Sequence, residues 1–120
     1  MSTALTPQQA LRLLSDVALE IVRDKGPQDH PDFTFRQLSV LLTIYLERPP
    51  HTVRGIAARL GVTKPVVTRA LDSLGAIELV TRRRDEADRR NVIVQRTVKG
   101  ALFVEQLGDL VVDKAKGLSQ

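Results

Sequence analysis

Residues Thr81–Arg90 read TRRRDEADRR, five arginines and three carboxylates in ten positions, with no apolar side chain larger than Ala87. Burying so many charges costs more than any core contact returns, so this segment must stay in water. Its flanks are of the opposite kind. ELVTRRR before it and NVIVQRT after it are β-prone, and two such runs around a polar tip predict a β-hairpin from about Leu79 to Arg96. The tip then projects from a body that the rest of the chain must build. That body reads as helical, because apolar residues elsewhere recur at intervals of three and four.

At 120 residues the chain has the length of one domain with a modest core. Aromatics make up only 3% and Trp is absent, so Leu, Val, Ile and Ala must form that core. There is no Cys, which excludes disulfides, thiolate zinc sites and cysteine redox sensing. No apolar run approaches the roughly 20 residues of a membrane span. The opening MSTALTPQQA lacks the basic and apolar regions of a signal peptide. The expectation is a cytoplasmic protein with no membrane association. Charge is concentrated in the middle: His51–Gly100 carries eleven Lys and Arg against five Asp and Glu, while the remaining residues carry seven against nine. A basic centre between slightly acidic ends fits either a solvated basic surface or a face for a polyanion.

The helix signals are clear. Thr6, Pro7 and Gln9 form a capping box with proline at the first helical position. Ala10, Leu11, Leu14, Val17, Ala18, Ile21 and Val22 follow at helical spacing, and Gly26–Pro27 is a stop, giving a helix over about 6–25. A second helix begins at Thr34, with Gln37 closing a capping box and Phe33 with Leu38 suited to a hydrophobic staple. Phe35, Leu38, Leu41, Leu42 and Tyr45 are its expected buried stripe, and Pro49–Pro50 ends it. His30 and His51 stand beside prolines in loop-like stretches. Thr52 caps a short third helix, VRGIAARL, which stops at Gly61. Thr63 caps a fourth, KPVVTRALDSLGAI. Thr97 caps a last helix over about 98–116, with Leu102, Leu107, Leu110, Val111 and Val112 among its apolar residues; Gly100 and Gly108 should weaken it.

Two short helices joined by GVT and followed by a hairpin describe a winged helix-turn-helix, whose second helix lies in the DNA major groove. On a helical wheel of about 100° per residue, Val67, Ala70, Leu71 and Leu74 fall on the core side of the fourth helix. Pro65, Thr68, Arg69 and Asp72 fall opposite. Thr63 and Lys64 sit at the amino end, where backbone N–H groups favour a phosphate. Pro65–Val66 is a helix start that also suits a thymine methyl. Arg69, exposed at mid-helix, is either a surface charge or a base or phosphate contact. Asp72 reads better as a salt-bridge partner than as a reader of cytosine. The charged tip becomes the wing, whose arginines can enter the narrow minor groove. Asp88, two residues before Arg90, can pair with it and hold it extended, which reduces the rotamer entropy lost on binding.

The stretches IAARLGVTKPVVTRALDSL and LVTRRRDEADRRNVIVQRTVKG resemble the MarR-type transcriptional regulators. Leu71, Asp72 and Leu74 match the family's end to the recognition helix. Leu79, Val80 and Arg82 match the first wing strand. Asp88, Arg89 and Arg90 match the wing motif, and Thr97 with Gly100 match the start of the next helix. The likeness covers roughly residues 53–100. It implies a mainly α fold with a small β-hairpin: one domain over 1–120, a winged helix-turn-helix at about 34–100, and terminal helices for dimerisation. It also implies a DNA-binding repressor or activator that acts as a homodimer on double-stranded DNA. The DNA-contact candidates are Thr63, Lys64, Pro65, Val66, Thr68, Arg69, Arg82, Arg84, Asp88, Arg89 and Arg90. The dimer candidates are Leu11, Leu14, Ile21, Leu107, Leu110 and Val111.

Three departures stand out. The family usually has Gly before the first wing strand, where this chain has Glu78 with Gly75 three residues earlier, so the end of the recognition helix is expected to be distorted. It usually has Leu before the Thr that opens the next helix, where this chain has Arg96. It typically has two long helices after that, where only about 20 residues follow Gly100 here. The dimer interface is therefore expected to be reduced or rebuilt, and the ligand pocket beneath it with it; a small-molecule effector stays an open possibility. The rival reading is a winged helix that binds another regulator instead of DNA. An enzyme is the remotest reading, since no Ser/His/Asp set, metal-ligand spacing or phosphate loop occurs. No metal or cofactor is expected.

Overall fold

The computed structural model describes residues 4–23 and 32–119. The helix stop expected at Gly26–Pro27 and the loop histidine His30 lie outside them. In chain order the elements are α1 (Pro7–Arg23), α2 (Phe35–Leu46), β1 (His51–Thr52), α3 (Val53–Leu60), α4 (Lys64–Ala76), β2 (Val80–Arg84), β3 (Val92–Arg96) and α5 (Val98–Lys116), then a 3₁₀ turn at Gly117–Ser119. They form two compact units. One is Phe33–Val104; the other joins Met1–Asp32 to Glu105–Gln120.

In the terminal unit, α1 starts as its capping box demands. The Thr6 N–H donates to Gln9 Oε1 at 2.9 Å, and the Gln9 N–H donates to Thr6 Oγ1 at 3.1 Å. Gln9 Nε2 also donates to the Leu118 carbonyl, and Lys114 pairs with Glu20 at 3.3 Å. No residue of α1 is buried.

The central unit is a helical body carrying a three-stranded antiparallel sheet in the order β1-β3-β2. The hairpin pairs Val80 with Arg96 through to Arg84 with Val92. The third strand, β1, is an addition to the expected hairpin: His51 pairs with Val94 and Thr52 with Ile93. His51 is therefore not in a loop. It is buried, with Nε2 3.1 Å from the Glu47 carbonyl, and a two-residue strand after Pro49–Pro50 has no period to announce it.

The core gathers Leu41 and Ile44 of α2, Ile56 of α3, Val67, Leu71 and Leu74 of α4, and Val80 and Val94 of the sheet. α4 buries the four residues its wheel assigned, Val67, Ala70, Leu71 and Leu74. α2 is rotated from its expected stripe. Its buried residues are Val40, Leu41, Thr43 and Ile44, while Phe35 is 80% exposed. FRQLSVLLTIYL is apolar on several sides, so periodicity alone could not fix its phase. Phe33 packs edge-to-face on Phe103, with centroids 5.5 Å apart.

The turn between α3 and α4 rests on Gly61, at φ 68° and ψ 35°, a left-handed conformation suited to glycine. Its N–H and that of Val62 satisfy carbonyls of the last turn of α3.

Candidate nucleic-acid interface

The functional surface is built on a clamped base. The Tyr45 hydroxyl donates to the Leu79 carbonyl at 2.7 Å and accepts the Thr97 N–H at 3.0 Å. It thereby ties α2 to both ends of the hairpin. Thr97 Oγ1 donates to the Glu78 carbonyl and accepts the Gly100 N–H, each at 2.8 Å. Gly100, expected to weaken α5 as well as to match the family's start of that helix, is needed here, because a Cβ at that position would collide with the Tyr45 hydroxyl and the Leu79 carbonyl.

Two of the departures from the family pattern now have physical accounts. Arg96 lies over the Tyr45 ring at 5.6 Å and donates to the carbonyls of Ile44 at 2.8 Å and Glu47 at 3.0 Å. It thus satisfies acceptors at the carboxyl end of α2 that the helix itself leaves open. The end of α4 is not irregular, but its cost falls on Glu78. The helix closes at Ala76, the N–H groups of Glu78 and Leu79 return to the carbonyls of Gly75 and Leu74, and Glu78 is held at φ 65°. A glycine would adopt that conformation without the Cβ penalty.

α4 presents Lys64, Pro65, Thr68 and Arg69 to solvent, with Val66 half-buried. Among the described residues, no hydrogen bond or ion pair engages the side chains of Lys64 or Arg69. Thr63 occupies the N-cap position, but its hydroxyl makes no cap bond, contrary to expectation. Pro65 removes the donor at one of the two positions a cap side chain serves, and the Val66 N–H is taken by the Thr63 carbonyl at 3.1 Å.

Beside α4 stands the wing. Arg82 Nη2 donates to Asp72 Oδ1 at 2.8 Å, the salt bridge anticipated for Asp72. Arg84 Nη1 donates to the Arg89 carbonyl at 2.7 Å. Asp88 Oδ1 accepts both the Arg90 N–H at 3.2 Å and Arg90 Nε at 3.3 Å, so the anticipated pair is formed. The Arg90 side chain remains 86% exposed. Arg89 has only a 4.0 Å approach to Glu86. Arg83, which no sequence motif singles out, is exposed, and strand alternation puts it on the face opposite Arg82 and Arg84.

A family model described as the MarR family matches residues 33–92. The chain belongs to the MarR family. Its fold is that of MarR-family DNA-binding regulators. It is similar to the crystal structure of MarR, at 24% identity and a TM-score of 0.67, with 94% of this chain and 80% of that one covered. It is similar to a point mutant of MepR from S. aureus, at 21% identity and a TM-score of 0.72 over 96% and 83%. It is also similar to the transcriptional repressor CouR bound to a 23-mer DNA duplex, at 28% identity and a TM-score of 0.70 over 92% and 72%. No curated protein sequence matches the chain.

The dimer candidates are distributed as follows. Leu11 and Leu14 are 67% and 55% exposed, while Ile21, Leu107, Leu110 and Val111 are partly covered. Among the described residues, no helix is long and apolar enough to cross a membrane, and no group of His, Cys, Asp and Glu could hold a metal ion.

Proposed function

We propose that this MarR-family protein is a sequence-specific transcriptional repressor, acting in the cytoplasm as a homodimer on double-stranded DNA. The observation that carries the reading is the outer face of α4. Lys64 and Arg69 project from it without an internal partner, beside a wing whose exposed Arg90 is paired with Asp88. Cations left unsatisfied along one helix face and one hairpin tip fit a phosphate backbone and groove edges. In this reading α4 enters the major groove, with Arg69 at a base edge and Pro65–Val66 against a thymine methyl. Thr63 and Lys64 meet a phosphate, Thr68 lines the same face, and Arg89 and Arg90 enter the minor groove. Arg84 is spent on the wing's own backbone and preserves its shape. CouR, a repressor seen on duplex DNA, and S. aureus MepR, seen in a DNA complex, support the reading as relatives in fold.

The dimer follows from contact area. One recognition helix and one wing rarely give tight specific binding, and a two-fold pair doubles the contact. The exposed leucines of α1 and the apolar residues of α5 supply a surface for it. The test is selection of bound sequences from a random duplex pool, followed by titration. The selected sites should be palindromic, and affinity should fall steeply with salt. Leu110→Asp should dissociate the dimer and abolish specific binding together. A protein that enriches no sequence and binds all duplexes alike would remove the proposal.

A further inference from the structure

We infer that the Asp72–Arg82 ion pair is a positioning device: it fixes the wing against the recognition helix and so sets the offset between major- and minor-groove contacts. The inference rests on the DNA-binding reading above. α4 ends at Ala76 and β2 begins at Val80, so a short joint containing the left-handed Glu78 connects the two reading elements. The Tyr45 clamp, the pairing with β1 and the buried Val80 and Val94 fix the base of the hairpin. Arg82 adds a direct side-chain tie from the middle of β2 to the outer face of α4, through its 2.8 Å bond to Asp72.

The chain of fixed contacts continues outward. Arg84 lies on the same face of β2 two residues on, and it holds the Arg89 carbonyl in the wing turn. Asp88 then holds Arg90. From helix to tip, each step is a charged hydrogen bond, which is directional. The pair is too exposed, at 32% and 60% of its side chains, for a stability role to explain it. It also resolves a charge problem, since an unpaired carboxylate on the DNA side of α4 would repel phosphates.

The experiment is a double-mutant cycle in operator binding at fixed salt. It uses the full chain, Asp72→Asn, Arg90→Ala and both together, with melting followed in parallel. Asp72→Asn should weaken binding about two- to fivefold, while the melting temperature stays within about 4 °C. The loss caused by Arg90→Ala should shrink in the Asp72→Asn background, because the tip is no longer presented. Exchanging the charges, Asp72→Arg with Arg82→Asp, should restore most of the affinity. Strictly additive losses with no restoration would overturn the inference and make Asp72 a direct DNA contact. Unchanged binding by Asp72→Asn would overturn it as well. Failure of the parent chain to bind any duplex would remove the functional reading itself, a result distinct from either.

Discussion

α4 and α1 are both amphipathic helices, and they leave opposite things unfinished. α4 completes its apolar side inside the central unit, with Val67, Leu71 and Leu74 fully covered, and leaves cations without partners outside. α1 buries no residue, and leaves leucines exposed at Leu11 and Leu14. Unsatisfied cations ask for a polyanion, whereas unsatisfied leucines ask for another apolar surface. In the proposed reading, the contrast separates two functions along one short chain: reading DNA on α4 and the wing, and assembly at the termini.

The contrast can be broken from its inner side first. Leu71→Ala removes a fully buried side chain from the core face of α4 and should lower unfolding stability by about 2–5 kcal/mol in denaturant titrations. On the outer face the same helix should be indifferent to stability. Arg69→Ala should leave melting unchanged and cost about 1–3 kcal/mol of operator binding, with discrimination relaxed at one base pair of each half-site. Uniform weakening on all sequences would make Arg69 a phosphate contact, and no effect would take it off the DNA face. At the wing, Arg90→Ala should weaken binding more than Asp88→Ala does. If Arg90 meets a phosphate, the salt slope should fall by about one unit; if both variants bind like the parent, the tip is a bystander. The smallest effect belongs to the joint between helix and wing. Glu78→Gly relieves the left-handed strain but adds chain entropy to the unfolded state, so it should stabilise by no more than about 1 kcal/mol, read as a modest rise in melting temperature.

What the sequence made legible follows from how local each signal is. The caps at Thr6, Thr34, Thr52 and Thr97 and the left-handed Gly61 are settled within a turn of chain, and they were readable. α4 was readable to the residue because its polar and apolar sides are cleanly divided. α2 was not, because Phe35, Leu38, Leu42 and Leu46 offer a second apolar side that the wheel cannot rank against Ile44. β1 is too short to carry a period. Thr63 fits the cap pattern, yet its hydroxyl makes no cap bond, a local miss that Pro65 explains. The other misreadings are long-range. Arg96 looks like a break in pattern until the open carbonyls of Ile44 and Glu47 come to meet it. Gly100 looks like a weak helix residue until Tyr45 arrives from 55 positions earlier. No local rule predicts a partner so far away along the chain.

In the proposed reading, two copies of this chain read DNA together, each through the cationic side of α4. Sedimentation of the protein at micromolar concentration, alone and with a duplex carrying its selected site, tests it most directly. The expected result is a dimer in free solution and a two-to-one complex on half-sites whose centres lie about 34 Å apart, one turn of DNA. A chain that stays monomeric and binds a single half-site one-to-one, as tightly as the full palindrome, would contradict it.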